Sequence, residues 1–206
     1  MNSPPAVRCR LLVRVPTLAA AVALVLSAGC GSTSDSGTVV PAGMAGPAAA
    51  TVVRAPTLRA GQPVPVPKGK RVLTLTGLVS AKNVGSDVVL DQTALDQLGL
   101  VQISVYEPWV KQDVDFRGVW LLDLLEVAGM PDSATTLRIT ALDDYIATLK
   151  VADVRAGGIL LATKAGDGSA IAVADGGPTR IVYLPGVPAG ANADQWIWSV
   201  KTIEIR

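Results

Sequence analysis

The amino-acid sequence predicts an α+β domain with a mixed or antiparallel sheet and few helices, set behind a leader and a Pro/Ala/Gly-rich segment. Segments with the two-residue alternation of strands outnumber those with helical periodicity. They also fail to alternate regularly with helices, which argues against a doubly wound parallel sheet. A shift in composition near residue 70 marks where that patterning begins.

Arg8, Arg10 and Arg14 precede an apolar run from Val15 to Leu26, broken only by Pro16 and Thr17, and Ser27-Ala28-Gly29 follows. This is the layout of an export signal over residues 1–29, and the run is too short for an ordinary membrane span. Residues 30–70 read as a tether: Ser, Gly, Ala, Pro and Val dominate, and "GQPVPVPKGK" closes it with alternating prolines that favour an extended, stiff backbone. The folded domain is expected over residues 71–206, long enough to bury a core without staples.

Within that domain, "RVLTLTGLV" alternates Leu73 and Leu75 with Thr74 and Thr76, as a half-buried strand does. "LDQTALDQLGL" reads as a helix with Asp91 as N-cap, Leu95 and Leu98 on one face and Gly99 just past its end. "LVQISVY" is a strand closed by Glu107-Pro108. "FRGVWLLDLLEVAGM" is the clearest helical pattern, its stripe built from Leu121, Leu122, Leu124, Leu125 and Ala128 and its stop from Gly129-Met130-Pro131. The remainder is read as strands: "TLRITAL", a turn at Asp143-Asp144, "YIATLKV", "GILLAT", a turn at "AGDGS", "AIAV", "TRIVYL" and "QWIWSVKTIEI". In the last of these, Trp196 and Trp198 would share one strand face.

Composition narrows the chemistry. The chain has no histidine and two cysteines, Cys9 in the leader and Cys30 directly after it. Beyond residue 30 there is therefore no intramolecular disulfide, no thiolate or imidazole metal site and no histidine-based triad. Removing the three leader arginines turns a formal charge of +1 into −2, which gives no nucleic-acid footprint. Asp143, Asp144, Asp167 and Asp175 sit in turns, but "DGS" and "DGG" lack the length and terminal glutamate of a calcium loop and serve as turn formers.

Two resemblances add to this. "LSAGC" is similar to the lipobox of bacterial lipoproteins, with Ser27 where an aliphatic residue is expected and Leu26 one step further back. The resemblance implies a diacylglycerol thioether and fatty-acyl (palmitate) chains on Cys30, which would become the mature N-terminus on the outer face of the cell membrane. A plain secretory signal with an incidental cysteine is the alternative.

The order "FRGVWLLDLLEVAG", "ITALDDYIATLKVADV", "GGILLATKAGDGSAIAVADGGPTRIVYLPG", "QWIWSVKTIEI" resembles the molybdopterin-binding domain of the sulfite oxidase family across residues 71–206. The resemblance implies that fold, and it implies a pterin cleft in which the "G-P-R" arginine falls on Arg180, beside Gly177 and Pro178. Asp144 and Tyr145 match the family's turn, or form a hairpin with Tyr145 buried, and Lys201 matches its closing strand, or is surface charge. Trp109, with Trp196 and Trp198, would line a cleft for a flat ligand or a partner's apolar side chain, or pack in the core. A guanidinium suits a phosphate or a pterin edge, and Gly176 and Gly177 would let the backbone approach such a ligand. The other use of Arg180 is as the solvent side of an edge strand.

Two departures stand against cofactor chemistry. "LVQISVYEPWVKQDVDF", where the family carries its metal-binding cysteine, has none; Ser104, Tyr106 and Glu107 supply only oxygen donors, and a hydroxyl replaces a soft thiolate poorly. The histidine that often precedes "G-P-R" in the family is also absent, and Arg8-Cys9-Arg10 is not the twin arginine that marks export of folded proteins. The expectation is a lipid-anchored envelope module of this fold, without the metal ligand, that binds a small molecule or an envelope protein. A molybdopterin oxidoreductase with a non-cysteine ligand and a structural lipoprotein with a filled cleft are the alternatives.

Overall fold

A computed structural model describes residues 50–206. The expected signal, lipobox and Cys30 lie outside the described residues. Two five-stranded sheets share one hydrophobic core. The first takes β1 (Ala50–Arg54), β4 (Leu100–Glu107), β5 (Gln112–Trp120), β8 (Ile159–Ala165) and β9 (Arg180–Tyr183) in that spatial order, antiparallel throughout. The second orders β3 (Val88–Asp91), β2 (Arg71–Gly77), β10 (Val200–Ile205), β6 (Thr136–Ala141) and β7 (Ile146–Lys150), with one parallel pair, β2 with β10. Three short helices complete it: α1 (Gln92–Gln97), α2 (Leu121–Val127) and α3 (Val151–Arg155). The α+β class with mixed and antiparallel sheets is as the patterning predicts.

The alternation in β2 does what it predicts, burying Leu73 and Leu75 beside partly covered threonines. Asp91 caps α1: Oδ1 accepts the Ala94 N–H at 2.9 Å, and Gly99 follows the helix at a φ of 89°.

The tether ends earlier than residue 70. Residues 50–54 form β1, which pairs with β4 from Ala50↔Ile103 to Arg54↔Leu100. Thr57 and Leu58 donate their N–H groups to the Gln97 carbonyl at 2.8 and 2.9 Å, Leu58 and Val64 enter the core, and Asp91 Oδ2 accepts from the Lys68 and Gly69 N–H groups. A proline-rich composition hides this docking, because its polar contacts are made by backbone groups to partners distant in sequence.

The helix expected from Phe116 begins only at Leu121. Phe116 to Trp120 extend β5, because Phe116 to Gly118 find partners on both sides, Val101 to Ile103 on β4 and Ala162 to Ala165 on β8, and Val119 and Trp120 pair with Leu161 and Leu160 of β8. A Cβ on Gly118 would lie 2.1 Å from the Leu161 carbonyl oxygen, so that glycine is what lets the two strands meet. "AIAV" is not a strand but leads into a single 3-10 turn, Val173–Asp175. The last strand starts at Val200 rather than Gln195. A 3-10 turn over Ala193–Gln195 and a left-handed Ser199 (φ 51°) precede it, so Trp196 and Trp198 do not share a strand face.

Candidate functional site

The β4–β5 hairpin, the segment entering β9 and the segment entering β10 converge on Trp198. Glu107 ends β4 with no exposed surface. Its Oε2 accepts the N–H groups of Trp109 (2.8 Å) and Val110 (2.7 Å), closing its own turn, while Lys111 N–H donates to the Glu107 carbonyl at 2.8 Å. The remaining oxygen, Oε1, accepts from Arg180 Nη2, a buried ion pair spanning 73 residues of sequence.

Arg180 begins β9 on the edge of its sheet, yet it is 3% exposed. Thr179 fixes the entry: its hydroxyl donates to the Val200 carbonyl at 2.9 Å and its carbonyl accepts the Val200 N–H at 2.8 Å. The guanidinium lies 5.0 Å from the Phe116 ring centre and 4.5 Å from that of Trp198, and its Nη1 donates to the Asp175 carbonyl at 3.0 Å. Burial pulls its pKa below the ordinary arginine value, and Glu107 and then Asp175 push back. The group stays a cation. The solvent-side use of Arg180 is thus corrected: it is on an edge strand but inside the fold, because Glu107 supplies a counter-charge there.

Trp198 divides two clefts. On the Arg180 side a cavity of about 380 Å³ is bordered by Glu107, Asp115, Phe116 and Asp175. On the other side a cavity of about 390 Å³ is walled by Trp109, Tyr145, Trp196 and Trp198, with Asp143 and Asp194 at its margin. Trp196 is held by Nε1–H donation to the Gly190 carbonyl at 2.9 Å and by a tilted contact with Tyr183 at 5.7 Å between ring centres. Tyr145 donates its hydroxyl to the Asp194 carbonyl at 3.1 Å.

The expected site residues therefore do not form one cluster. Trp109 and Tyr145 meet in the aromatic cleft, and Arg180 lies behind Trp198 in the other. Tyr145, which a plain hairpin would bury, is 45% exposed. Asp144 and Lys201 pair with each other across the strand ends, which holds the Asp144 carboxyl below its usual range, and neither lines either of these two clefts. Gly177 and Pro178, joined by a cis peptide bond, do not open space for a ligand. A Cβ on Gly177 would fall 1.9 Å from the Ile171 carbonyl oxygen and one on Gly176 2.7 Å from the Trp198 ring, so both glycines admit the protein's own atoms. Of the oxygen donors on β4, Ser104 and Tyr106 are exposed and only Glu107 faces inward.

Glu107 as the partner of Arg180, Phe116 beneath it and Asp194 beside the aromatic cleft escape sequence reasoning. No periodicity links Glu107 to Arg180, and the one available signal is a lone acid at a strand end before proline.

The residues present do not fit a molybdenum centre. Residues 50–206 contain neither cysteine nor histidine, and among the described residues no three carboxylates gather to hold a metal. The guanidinium that would grip a pterin is already matched by a buried carboxylate.

Residues 70–205 match the family of the oxidoreductase molybdopterin binding domain. The crystal structure of the sulfane dehydrogenase SoxCD from Paracoccus pantotrophus is similar, with a TM-score of 0.51 at 18% identity, over 66% of this chain and 37% of that one. The likeness at that identity is one of fold, and the chain spans well under half of that dehydrogenase. No curated protein is significantly similar to the chain.

Proposed function

The chain belongs to the oxidoreductase molybdopterin-binding domain family, and from that premise we propose that it is a cofactor-free member acting as a ligand- or partner-binding accessory module, lipid-anchored through Cys30 on the outer face of the cell membrane. The Arg180–Glu107 pair carries this reading. An anionic cofactor reaching Arg180 must compete with a carboxylate that has no access to water, and removing one partner of a buried pair costs about 3–5 kcal/mol. The module therefore presents a cleft to its ligand in place of a metal.

The anchor rests on "LSAGC", and the residues before the described fold connect it to the domain. Acyl chains hold by burying methylene groups, each contributing about 0.8 kcal/mol. The test is the molybdenum and pterin content of the full-length protein purified from its native membrane, with a Cys30→Ser form as the lipid-free control. Neither metal nor pterin is expected. Stoichiometric amounts of both would overturn the reading and make the protein an oxidoreductase with an unusual metal site. Mass measurement of the mature N-terminus tests the anchor separately, since an unmodified Cys30 would remove it.

A further inference from the structure

The cleft walled by Trp109, Tyr145, Trp196 and Trp198 concentrates the rarest resource of this chain. The sequence holds four tryptophans, three tyrosines and one phenylalanine, and three of the tryptophans line this one cavity. Packing alone does not account for the arrangement, because Trp109 is 53% and Tyr145 45% exposed. Large apolar rings left half in water at the mouth of a cavity mark a binding surface. At about 390 Å³ the cavity is of small-molecule size.

Its electrostatics are one-sided. Asp143 and Asp194 border it, and among the described residues no lysine or arginine lines it. Among the same residues neither aspartate is in an ion pair, and the neighbouring Lys201 is engaged by Asp144. Behind Trp198 the Arg180 cation is matched by Glu107, so no net positive charge stands behind that wall. Aromatic faces carry a negative quadrupole and attract cations, most strongly when several rings surround them. Four rings and two free carboxylates repel an anion and favour an ammonium group with an apolar body.

Two of the four walls are also held before any ligand arrives. Tyr145 is tied through its hydroxyl to the Asp194 carbonyl and Trp196 through its ring nitrogen to the Gly190 carbonyl. Asp143 Oδ1 accepts the Tyr145 backbone N–H at 3.1 Å, which ties the acid to the turn that carries the ring. A cage built this way spends little ordering energy on binding.

We propose that this cleft binds a small organic cation, a quaternary or alkylated ammonium, through the faces of Trp109, Tyr145, Trp196 and Trp198 and the charges of Asp143 and Asp194. The inference rests on the reading of the protein as a cofactor-free binding module and names the ligand class of that module.

Three probes of matched shape test it on the full-length chain, followed by tryptophan fluorescence and calorimetry. They are choline, its neutral carbon isostere 3,3-dimethylbutan-1-ol, and 3,3-dimethylbutanoate. Choline is expected to saturate the signal and to bind about tenfold or more tighter than the alcohol, the scale of a desolvated cation–π contact, with the carboxylate weakest. Trp109→Ala, at an exposed position, is expected to abolish the choline signal without lowering the urea midpoint. An Asp143→Asn/Asp194→Asn double variant is expected to bring choline down to the level of the alcohol, because it removes both charges while the amide oxygen at position 143 can still accept the Tyr145 N–H.

Equal binding of choline and the alcohol, preference for the carboxylate, or no saturation with any probe would each overturn the proposal. Molybdenum and pterin measured on the same sample score the underlying reading independently. A cofactor-free protein that ignores choline sinks only the ligand class, and a cofactor-loaded one sinks both.

Discussion

Replacing Arg180 by methionine keeps the apolar stem between Phe116 and Trp198 and removes the charge. Four interactions go with it: the pair with Glu107, the donation to the Asp175 carbonyl, and the two ring contacts at 5.0 and 4.5 Å. Glu107 is then left without exposed surface, holding the Trp109 and Val110 N–H groups but no counter-charge. A buried charge orphaned in this way costs about 3–5 kcal/mol. Glu107→Gln strands the opposite charge, Arg180, at 3% exposure and is expected to cost a similar amount.

The double variant R180M/E107Q strands neither, and its glutamine oxygen still accepts from both turn N–H groups. It is expected to lose less than the two single variants together, by about 2 kcal/mol of coupling. Urea unfolding of the full-length chain, followed by tryptophan fluorescence, reads this directly. With a slope of about 2 kcal/mol per molar urea, each single substitution lowers the midpoint by about 2 M. Losses below about 1 kcal/mol for the single variants, the scale of exposed pairs, or strict additivity in the double variant, would refute the view that the pair is part of the fold's interior.

Deleting residues 31–70 of the chain removes β1 and the buried side chains of Leu58 and Val64; at about 1.5–3 kcal/mol each, a loss of about 3–6 kcal/mol is expected in urea unfolding, where a dispensable tether would show none. Asp91→Ala takes the acceptor from Ala94, Lys68 and Gly69 together, and a loss of about 1–3 kcal/mol is expected from denaturation. The Ala94 N–H first, and then that of Gly69, hold the Asp91 carboxyl below its ordinary value. Its contribution is therefore complete above the unfolded pKa and fades as pH falls through the lower folded value, so Asp91→Asn is expected to flatten the acid limb of the stability profile.

The parts of the fold legible in the sequence are those whose cause is local. The alternation of Leu73 and Leu75, the Asp91 cap with Gly99 behind the helix, and the Leu121 to Leu125 stripe each depend on neighbours within one turn or strand, and each appears where it is expected. The errors share the opposite cause. Phe116 to Trp120 read as the start of a helix because the leucine stripe follows them, and pairing with two strands from elsewhere overrides that pattern. Residues 57–69 read as linker because their partners, the Gln97 carbonyl and the Asp91 carboxylate, are roughly twenty to forty positions away. The family order singled out Arg180, but not its carboxylate, since nothing near position 180 reports what position 107 holds.

That missing partner separates inherited position from present use. Of the three guanidinium nitrogens, Nη2 meets Glu107, Nη1 meets the Asp175 carbonyl and Nε lacks a partner. A phosphate or pterin edge is best held by two parallel donors of one fork, and at a guanidinium only 3% exposed gaining them means displacing the buried Glu107 carboxylate. The cost of that displacement falls on the ligand before any binding is gained. Across Trp198 the balance is reversed: Trp109 and Tyr145 already stand exposed, and Asp143 and Asp194 already lack a cation among the described residues. A positively charged ligand there displaces only water and screens two free charges. One tryptophan thus divides a cleft whose guanidinium is buried against its own carboxylate from one walled by half-exposed rings, and the proposed ligand site lies on the exposed side.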